Sequence, residues 1–273
     1  MKIHEIQTID SDFLLVVSDG GRSPEFVQVS SIDGVLQNLN DIIKTTRDNH
    51  RRAGYFAAFY RRPAIRIRDQ IAAGQFDDGK RAERLQIAFA NRYFEAYALF
   101  SQGGRPTRSW ELAFYATHDY WLIVLQHLLL GLNAHINLDL AIAAAETYPA
   151  GDLPAFRADF DRIHAQLAHV LKEVVVELGQ IWPPFNLTLP LLRAPDETYI
   201  TFSLNQSREH AWRLAGELAG LTAAARGPII DRHDQQTFKR AETIRNPGVL
   251  NVPLMTVRLL ERGSVAENIE LLQ

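Results

Sequence analysis

The sequence contains no cysteine. Without cysteine there are no disulfide bonds, no thiolate nucleophile and no zinc–thiolate site. Several enzyme motifs are also missing: a glycine-rich phosphate loop ahead of a helix, the Gly-x-Ser-x-Gly elbow, a dinucleotide-binding fingerprint and the His-Glu-x-x-His zinc motif. The chain is therefore not expected to be a P-loop nucleotide enzyme, a nicotinamide enzyme or a conventional serine hydrolase.

Strong charge and long apolar runs are absent as well. The net charge is −3, which gives no reason to expect a nucleic-acid partner. The N-terminus, MKIHEIQTID, lacks the basic and apolar regions of a signal peptide. Polar residues at 126, 127 and 133 interrupt the longest apolar stretch, so no membrane span is expected. The sequence predicts a soluble cytoplasmic protein without a membrane partner.

Length and periodicity predict one large helical domain. The 273 residues, 47% of them hydrophobic, can bury a sizeable core. Beyond residue 31 the pattern favours an all-α fold, a multi-helix orthogonal or bundle domain over 32–273 around a buried central helix at about 120–145. Pro63 and the Gly227-Pro228 pair are expected to end helices, and 181–203 is expected to be an irregular, proline-rich crossover. The other predicted helices are 32–49, 50–60, 65–73, 78–100, 108–117, 153–178 and 204–225, followed by a helical tail.

The first 31 residues differ from the rest. Two strand-like runs, DFLLVVS and EFVQVS, flank the turn signal Asp19-Gly20-Gly21. This pattern predicts a β-hairpin appendage over 1–31. Because a lone hairpin is marginally stable, it is expected to pack on the helical body or to pair with another chain in a homo-oligomer.

The central segment, YWLIVLQHLLLGLNAHINLDLAIAAA, is apolar almost all the way round yet carries six polar residues. Helical spacing sorts them into two stripes. His127, His135 and Asp139 fall within an arc of about 120°, whereas the amides fall within about 40° on another side. Gly131 lies in the His/Asp arc and leaves room there for a ligand, a metal or a close backbone. The amide stripe consists of Gln126, Asn133 and Asn137.

Four segments resemble a family of helical, mostly bacterial proteins classified as a domain of unknown function. The main one, LQHLLLGLNAHINLDLAIAAA, is similar to the family's QHLLLGMNAHINLDL-like core. The others are GYFAAFYRR, QFDDGKRAERLQIAFANRYFEAY and REHAWRLAGEL, and the similarity spans roughly 31–221. The resemblance brings no settled activity, but by position it singles out His127, Asn133, His135, Asn137 and Asp139, with Arg208 and Trp212. Two departures stand out: His164 follows Ile163 where members tend to show Ile-Asn, and the N-terminal hairpin is an addition.

His135 and Asp139 carry the main chemical hypothesis. Their i, i+4 spacing places them side by side on a helix. A carboxylate beside an imidazole fixes its tautomer and raises its basicity, which suits a general base. In this interpretation His135 is the base, Asp139 orients it and His127 is a second acid or base. The alternative is a buried His–Asp hydrogen bond that only joins helices.

A metal site is a second interpretation of the same residues. Histidine and aspartate four residues apart form a known helical ligand pair, as in helical zinc-dependent phosphodiesterases, but a site needs at least three ligands. The candidates are His127, His135, Asp139 and His164. No cofactor is firmly implied, and only this interpretation requires a divalent metal.

The remaining candidates would bind substrate. Arg208 is suited to clamp a carboxylate or phosphate or to pair with Asp139, and Arg92 is a second candidate partner for Asp139. The amide stripe would hold the substrate or neighbouring helices. Tyr93 lies beside Arg92, and aromatic pocket walls are expected from Phe56, Tyr60, Tyr93, Trp121 and Trp212.

Three functions therefore remain open. The first is an enzyme that acts on a small, largely apolar molecule by acid–base chemistry, with hydrolysis, cyclisation and isomerisation all compatible. The second is a metal-dependent hydrolase. The third is a non-catalytic binding or scaffold protein, which predicts dry packing around His135 with every polar atom satisfied.

Overall fold

The computed structural model describes residues 28–148, 153–181 and 198–273, with side chains left out for 180–181 and 198–203. Every regular element in these ranges is helical, which confirms the all-α prediction. The predicted N-terminal hairpin lies outside the described residues. The helices are α1 (Ile32–Asp48), α2 (Gly54–Ala72), α3 (Gly79–Ser101), α4 (Arg108–Ala116), α5 (Val124–Ala134), α6 (Leu140–Thr147), α7 (Arg157–Ile181), α8 (Thr198–Leu218), α9 (Ala223–Arg245), α10 (Asn251–Leu260) and α11 (Val265–Leu272).

Several helix starts follow from side-chain caps that the sequence displays. Ser31 accepts a hydrogen bond from the Gly34 amide at the start of α1. Asp78 does the same for the Arg81 amide at the start of α3. Each side chain satisfies an amide that has no partner within its own helix.

Two predicted helix breaks at proline are wrong. Pro63 lies inside α2, which runs unbroken where two helices were expected. Pro228 lies inside α9. A proline inside a helix loses one hydrogen bond and costs about 3 kcal/mol, so packing has to offset it. Pro63 is itself buried where α2 packs along α7, and Arg62 and Arg66 on the same helix both pair with Glu173 of α7.

The central helix runs from Val124 to Thr147 as α5, a π-turn at His135–Asp139, and α6. By length and composition this helix alone, among the described residues, is apolar enough to cross a membrane, but 94% of its most apolar window is buried in the protein. The prediction of a buried apolar helix is therefore confirmed. It packs against α2, α3, α4, α8 and α9.

Three buried carboxylates cap helices to which they are not adjacent in sequence. Asp234 of α9 accepts hydrogen bonds from the Arg108 and Ser109 amides at the start of α4. Asp159 accepts from the amides of residues 77 and 78, just before α3. Glu261 accepts from the Val124 amide at the first turn of the central helix. A carboxylate is favourable at these positive helix ends, so the caps fix the helices relative to one another.

Candidate functional site

The π-turn places His135 and Asp139 side by side at the centre of the protein. Their side chains are 0% and 1% exposed. His135 Nδ1 lies 3.1 Å from Asp139 Oδ2. The turn is closed by the Leu140 amide, which donates to the His135 carbonyl with the wider spacing of a π-helix. The sequence predicted the contact but not the π-turn.

Side chains of two further helices also contact Asp139. Trp110 Nε1 of α4 donates to Asp139 Oδ2 at 2.7 Å, the same oxygen that faces His135. Arg92 Nε of α3 lies 3.6 Å from Asp139 Oδ1, as an ion pair rather than a hydrogen bond. The indole N–H, the imidazole and the guanidinium thus all face this one buried carboxyl group. The structure therefore selects Arg92, rather than Arg208, as the partner of Asp139.

Aromatic rings surround the His135 imidazole. Phe89 stacks on it with a centroid distance of 3.5 Å and an interplanar angle of 8°. Tyr60 meets it edge-on at 4.6 Å, and Phe56 does so at 5.5 Å. Trp110 and Tyr93 follow at 6.0 and 6.3 Å. The predicted walls Phe56, Tyr60 and Tyr93 are thus placed at His135.

The environment keeps His135 neutral and orients it. Burial lowers the pKa of His135, and the hydrogen bond to Asp139 opposes this shift only in part. An ionised carboxylate at Nδ1 requires the proton on that nitrogen. The Nε2 lone pair is then the free base, and Nε2 is buried with no hydrogen-bond partner. The scaffold interpretation predicts that every polar atom around His135 has a hydrogen-bond partner, and Nε2 has none among the described residues.

His127 occupies a different environment. Its ring packs against Tyr55, with centroids 5.7 Å apart. Burial, reinforced by the charges of Arg52 and Arg258, lowers the pKa of His127 to about 3, although the Leu122 carbonyl favours the protonated form. Neither ring nitrogen makes a hydrogen bond of good geometry.

Gly131 accommodates a ring rather than a ligand. A methyl group at this position would lie 2.7 Å from Phe56 Cγ and closer still to the ring edge. Because Gly131 is one turn from both His127 and His135, Phe56 occupies the space between them. The expected opening for a ligand or metal at Gly131 is filled by this aromatic side chain.

The amide stripe joins the central helix to α9. Asn133 donates to the Thr237 carbonyl at 2.9 Å and accepts from Asn137 at 2.9 Å. Gln126 donates to the Ile244 carbonyl at 2.9 Å and accepts from the Ile123 amide. These bonds occupy both ends of Gln126 and Asn133 with protein groups. Their predicted role in substrate binding remains a prediction.

Arg208, Trp212 and His164 belong to a separate cluster between α7 and α8. Arg208 Nε lies 3.4 Å from Asp161 Oδ1. Trp212 packs on Phe160 with centroids 5.0 Å apart. His164 is 1% exposed, and burial, with the charge of Arg208 adding to it, lowers its pKa to about 4. None of the three contacts His135 or Asp139 in these interactions, and Trp121, another predicted wall, is 44% exposed.

The four proposed metal ligands do not form a ligand set. Within the ranges that the structure describes, no group of three or more histidine, aspartate or glutamate side chains is arranged to hold a metal ion. His135 and Asp139 contact each other, while His127 and His164 lie in the two environments described above.

Sequence reasoning missed three residues of the site, namely Trp110, Phe89 and Gln86. Phe89 and Gln86 precede Arg92 and Tyr93 at helical spacing, so extending that face of α3 would have found them. Gln86 donates to the Tyr60 hydroxyl at 3.1 Å, and its own oxygen is buried without a partner. Trp110 lies on a short helix, and its only signal was that a buried indole N–H needs an acceptor.

Comparison with known proteins gives a family without a described activity. No curated protein and no solved structure matches the chain. The model of a family of unknown function, DUF5995, matches residues 32–247, which include the whole central helix and every residue around His135 named above. This match covers most of the chain and agrees with the resemblance in the central segment. The chain therefore belongs to the family of unknown function DUF5995.

Proposed function

We propose that the protein is an enzyme that acts on a small, largely apolar organic molecule, with His135 as general base and Asp139 as the group that orients it. The observation that carries the proposal is His135 Nε2, a basic nitrogen buried among aromatic rings without a hydrogen-bond partner. A buried polar atom without a partner costs about 1–3 kcal/mol and calls for a reason other than stability.

The chemistry follows from the two nitrogens of the ring. At neutral pH the lowered pKa of His135 keeps Nε2 unprotonated and ready to accept a proton from a bound molecule. The resulting imidazolium would be stabilised by its hydrogen bond to Asp139, whose Oδ2 is also held in place by the Trp110 indole N–H. The aromatic lining favours an apolar substrate and excludes water. Hydrolysis, cyclisation and isomerisation can each proceed with such a base.

The π-turn supports the same proposal. A π-helical turn inside an α-helix is uncommon and is found frequently at functional sites. Here it covers His135 to Asp139, the two residues to which the chemistry is assigned. The competing scaffold function would gain nothing from widening the helix at this point while leaving Nε2 unpaired.

Carbethoxylation with diethyl pyrocarbonate tests the proposal without knowledge of the substrate. The reagent is small and apolar, and a neutral imidazole nitrogen attacks its carbonyl carbon and displaces ethyl carbonate, which breaks down to ethanol and carbon dioxide. We expect His135 to be modified in the folded protein, faster than global unfolding exposes it, when peptides are quantified by mass spectrometry. Exposed His50 serves as the internal reference for reagent activity.

The contrary result is modification of His135 only in denaturant, in step with unfolding. Nε2 would then be inaccessible to small apolar molecules, and the His135–Asp139 pair would be a structural hydrogen bond. Hydrogen exchange of core amides, measured under the same conditions, gives the rate of global opening against which the two results are distinguished.

A further inference from the structure

Within the part of the chain that the structure describes, the C-terminal helices leave an apolar surface uncovered. Of the large apolar side chains that are exposed in the described residues, half lie between 249 and 260. Val249 is 91% exposed, Val252 73% and Leu259 64%. Exposed apolar patches of this kind on a soluble domain mark interaction sites.

The exposed side chains form one face of α10. Val252, Met255 and Leu259 follow the i, i+3, i+7 spacing that aligns residues along a helix. Val257, on the opposite side, is the residue of α10 that is buried, and it packs with Ile123 ahead of the central helix. The apolar face of α10 therefore points away from the other described helices.

Two aromatic residues extend this surface. Arg258 of α10 donates to the Tyr120 carbonyl at 2.6 Å, and its guanidinium lies 4.5 Å from the Tyr120 ring centroid. Tyr120 is 52% exposed, and the Trp121 ring contacts it at 5.4 Å. The loop thus places a tyrosine and a tryptophan beside the aliphatic stripe.

Positive charge surrounds the same surface. No charged residue occurs between 247 and 257, and Arg258 is the first that follows. Arg52 lies 5.9 Å from the Tyr120 ring, and Arg245 pairs with Asp119. The Glu261 carboxylate pairs with Arg258 and accepts a hydrogen bond from the Val124 amide. The arginines here are Arg52, Arg245, Arg258 and the exposed Arg262, against the acids Asp119 and Glu261.

We propose that α10 and the Tyr120–Trp121 loop form a peripheral docking surface for an anionic lipid bilayer. Aliphatic residues on one helical face, with arginines beside them, are the features of helices that lie in the membrane interface. Tyrosine and tryptophan are enriched at that depth, and arginine attracts anionic headgroups. The inference departs from the absence of membrane partners expected from composition, and it does not depend on the His135 site.

A second copy of the chain fits this surface less well than a bilayer. A ten-residue helix is about 15 Å long and about 10 Å wide, so even with the two aromatic side chains of the loop its exposed face offers less than the roughly 800 Å² per partner of a stable protein interface. A bilayer needs no complementary protein surface, and the affinity grows with each apolar group inserted.

Co-sedimentation with lipid vesicles tests the proposal. Wild type and the double variant Val252→Asp/Leu259→Asp are spun with vesicles of phosphatidylcholine and phosphatidylglycerol mixed two to one, and with vesicles of phosphatidylcholine alone. We expect wild type to bind the anionic vesicles, more weakly as salt rises, and the double variant to lose about tenfold or more in affinity. Circular dichroism verifies that each variant is folded.

The matched control is Leu221→Asp. Leu221 is also exposed, at 36%, but it lies near the other end of the central helix, where Arg226 bonds to the carbonyls of Leu218 and Ala145. This variant should bind like wild type. Three results would overturn the proposal. In the first, wild type sediments with neither kind of vesicle. In the second, the double variant binds the anionic vesicles as tightly as wild type does. In the third, wild type is a dimer that binds no vesicles, and the double variant is a monomer.

Discussion

The Asp139 carboxylate is the point at which three parts of the fold meet. Trp110 reaches it from α4, Arg92 from α3 and His135 from the π-turn. Because an ionised group inside a protein is costly unless donors compensate it, each contact matters more here than it would on the surface.

Trp110→Phe tests the weight of one of these donors. The change removes the indole N–H from Asp139 while keeping an aromatic ring, so we expect the free energy of unfolding to fall by about 1–3 kcal/mol. Urea denaturation measures the loss. Trp212→Phe is the matched control, because the Trp212 ring packs on Phe160 away from Asp139. Equal losses in the two variants would mean that the hydrogen bond to Asp139 contributes nothing particular.

His127 gives stability a pH dependence. Its pKa is about 3 in the folded protein, against 6.5 for an unperturbed histidine in the unfolded chain, so unfolding takes up a proton between these values. Stability is therefore expected to fall as pH decreases below 6.5. In His127→Gln the loss between pH 7 and pH 5 should be smaller by up to about 2 kcal/mol. Urea denaturation at both pH values provides the comparison, and the exposed His50→Gln variant should behave like wild type.

At the scale of helices, close approach of α2 to the central helix depends on Gly131. An alanine there would gain about 1 kcal/mol in helix propensity but would force the Phe56 ring to move. We expect Gly131→Ala to lower the free energy of unfolding by about 1–3 kcal/mol. Gly216→Ala in α8 is the control, since among the described residues a methyl group there meets only Leu153, at 3.9 Å, and should stabilise the protein. Stabilisation by both changes would contradict the tight packing of Phe56.

The helices were predictable where local signals decide and unpredictable where distant contacts decide. Ser31 and Asp78 indicate the starts of α1 and α3, because their side chains cap these helices. Pro63 suggested a break that does not occur. The contacts of this part of α2 with α7, including the pairs of Arg62 and Arg66 with Glu173, are long-range and cannot be inferred from a local pattern. The π-turn was not predictable either, since the spacing of His135 and Asp139 suits an ordinary α-helix equally well.

For the molecule as a whole, the sequence indicated the all-α fold and the polar centre of its buried helix, but not how the polar groups are divided. One regular helix suggested a continuous His/Asp arc. Instead Phe56 at Gly131 separates His127 from His135. Arg208 and Trp212 belong to another cluster, in which α8 packs against α7. This packing joins residues far apart in sequence, so a local pattern does not predict it. The caps provided by Asp234, Asp159 and Glu261 are of the same long-range kind.

The most direct measurement is the long-range ¹H–¹⁵N spectrum of the histidine rings in the folded protein, with His135 assigned by comparison with His135→Gln. At pH 6.5, the ordinary midpoint of a histidine, we expect His135 to remain neutral, with the proton on Nδ1 and a free lone pair on Nε2. A doubly protonated ring, or a proton on Nε2, would contradict the assignment of His135 as a buried base oriented by Asp139.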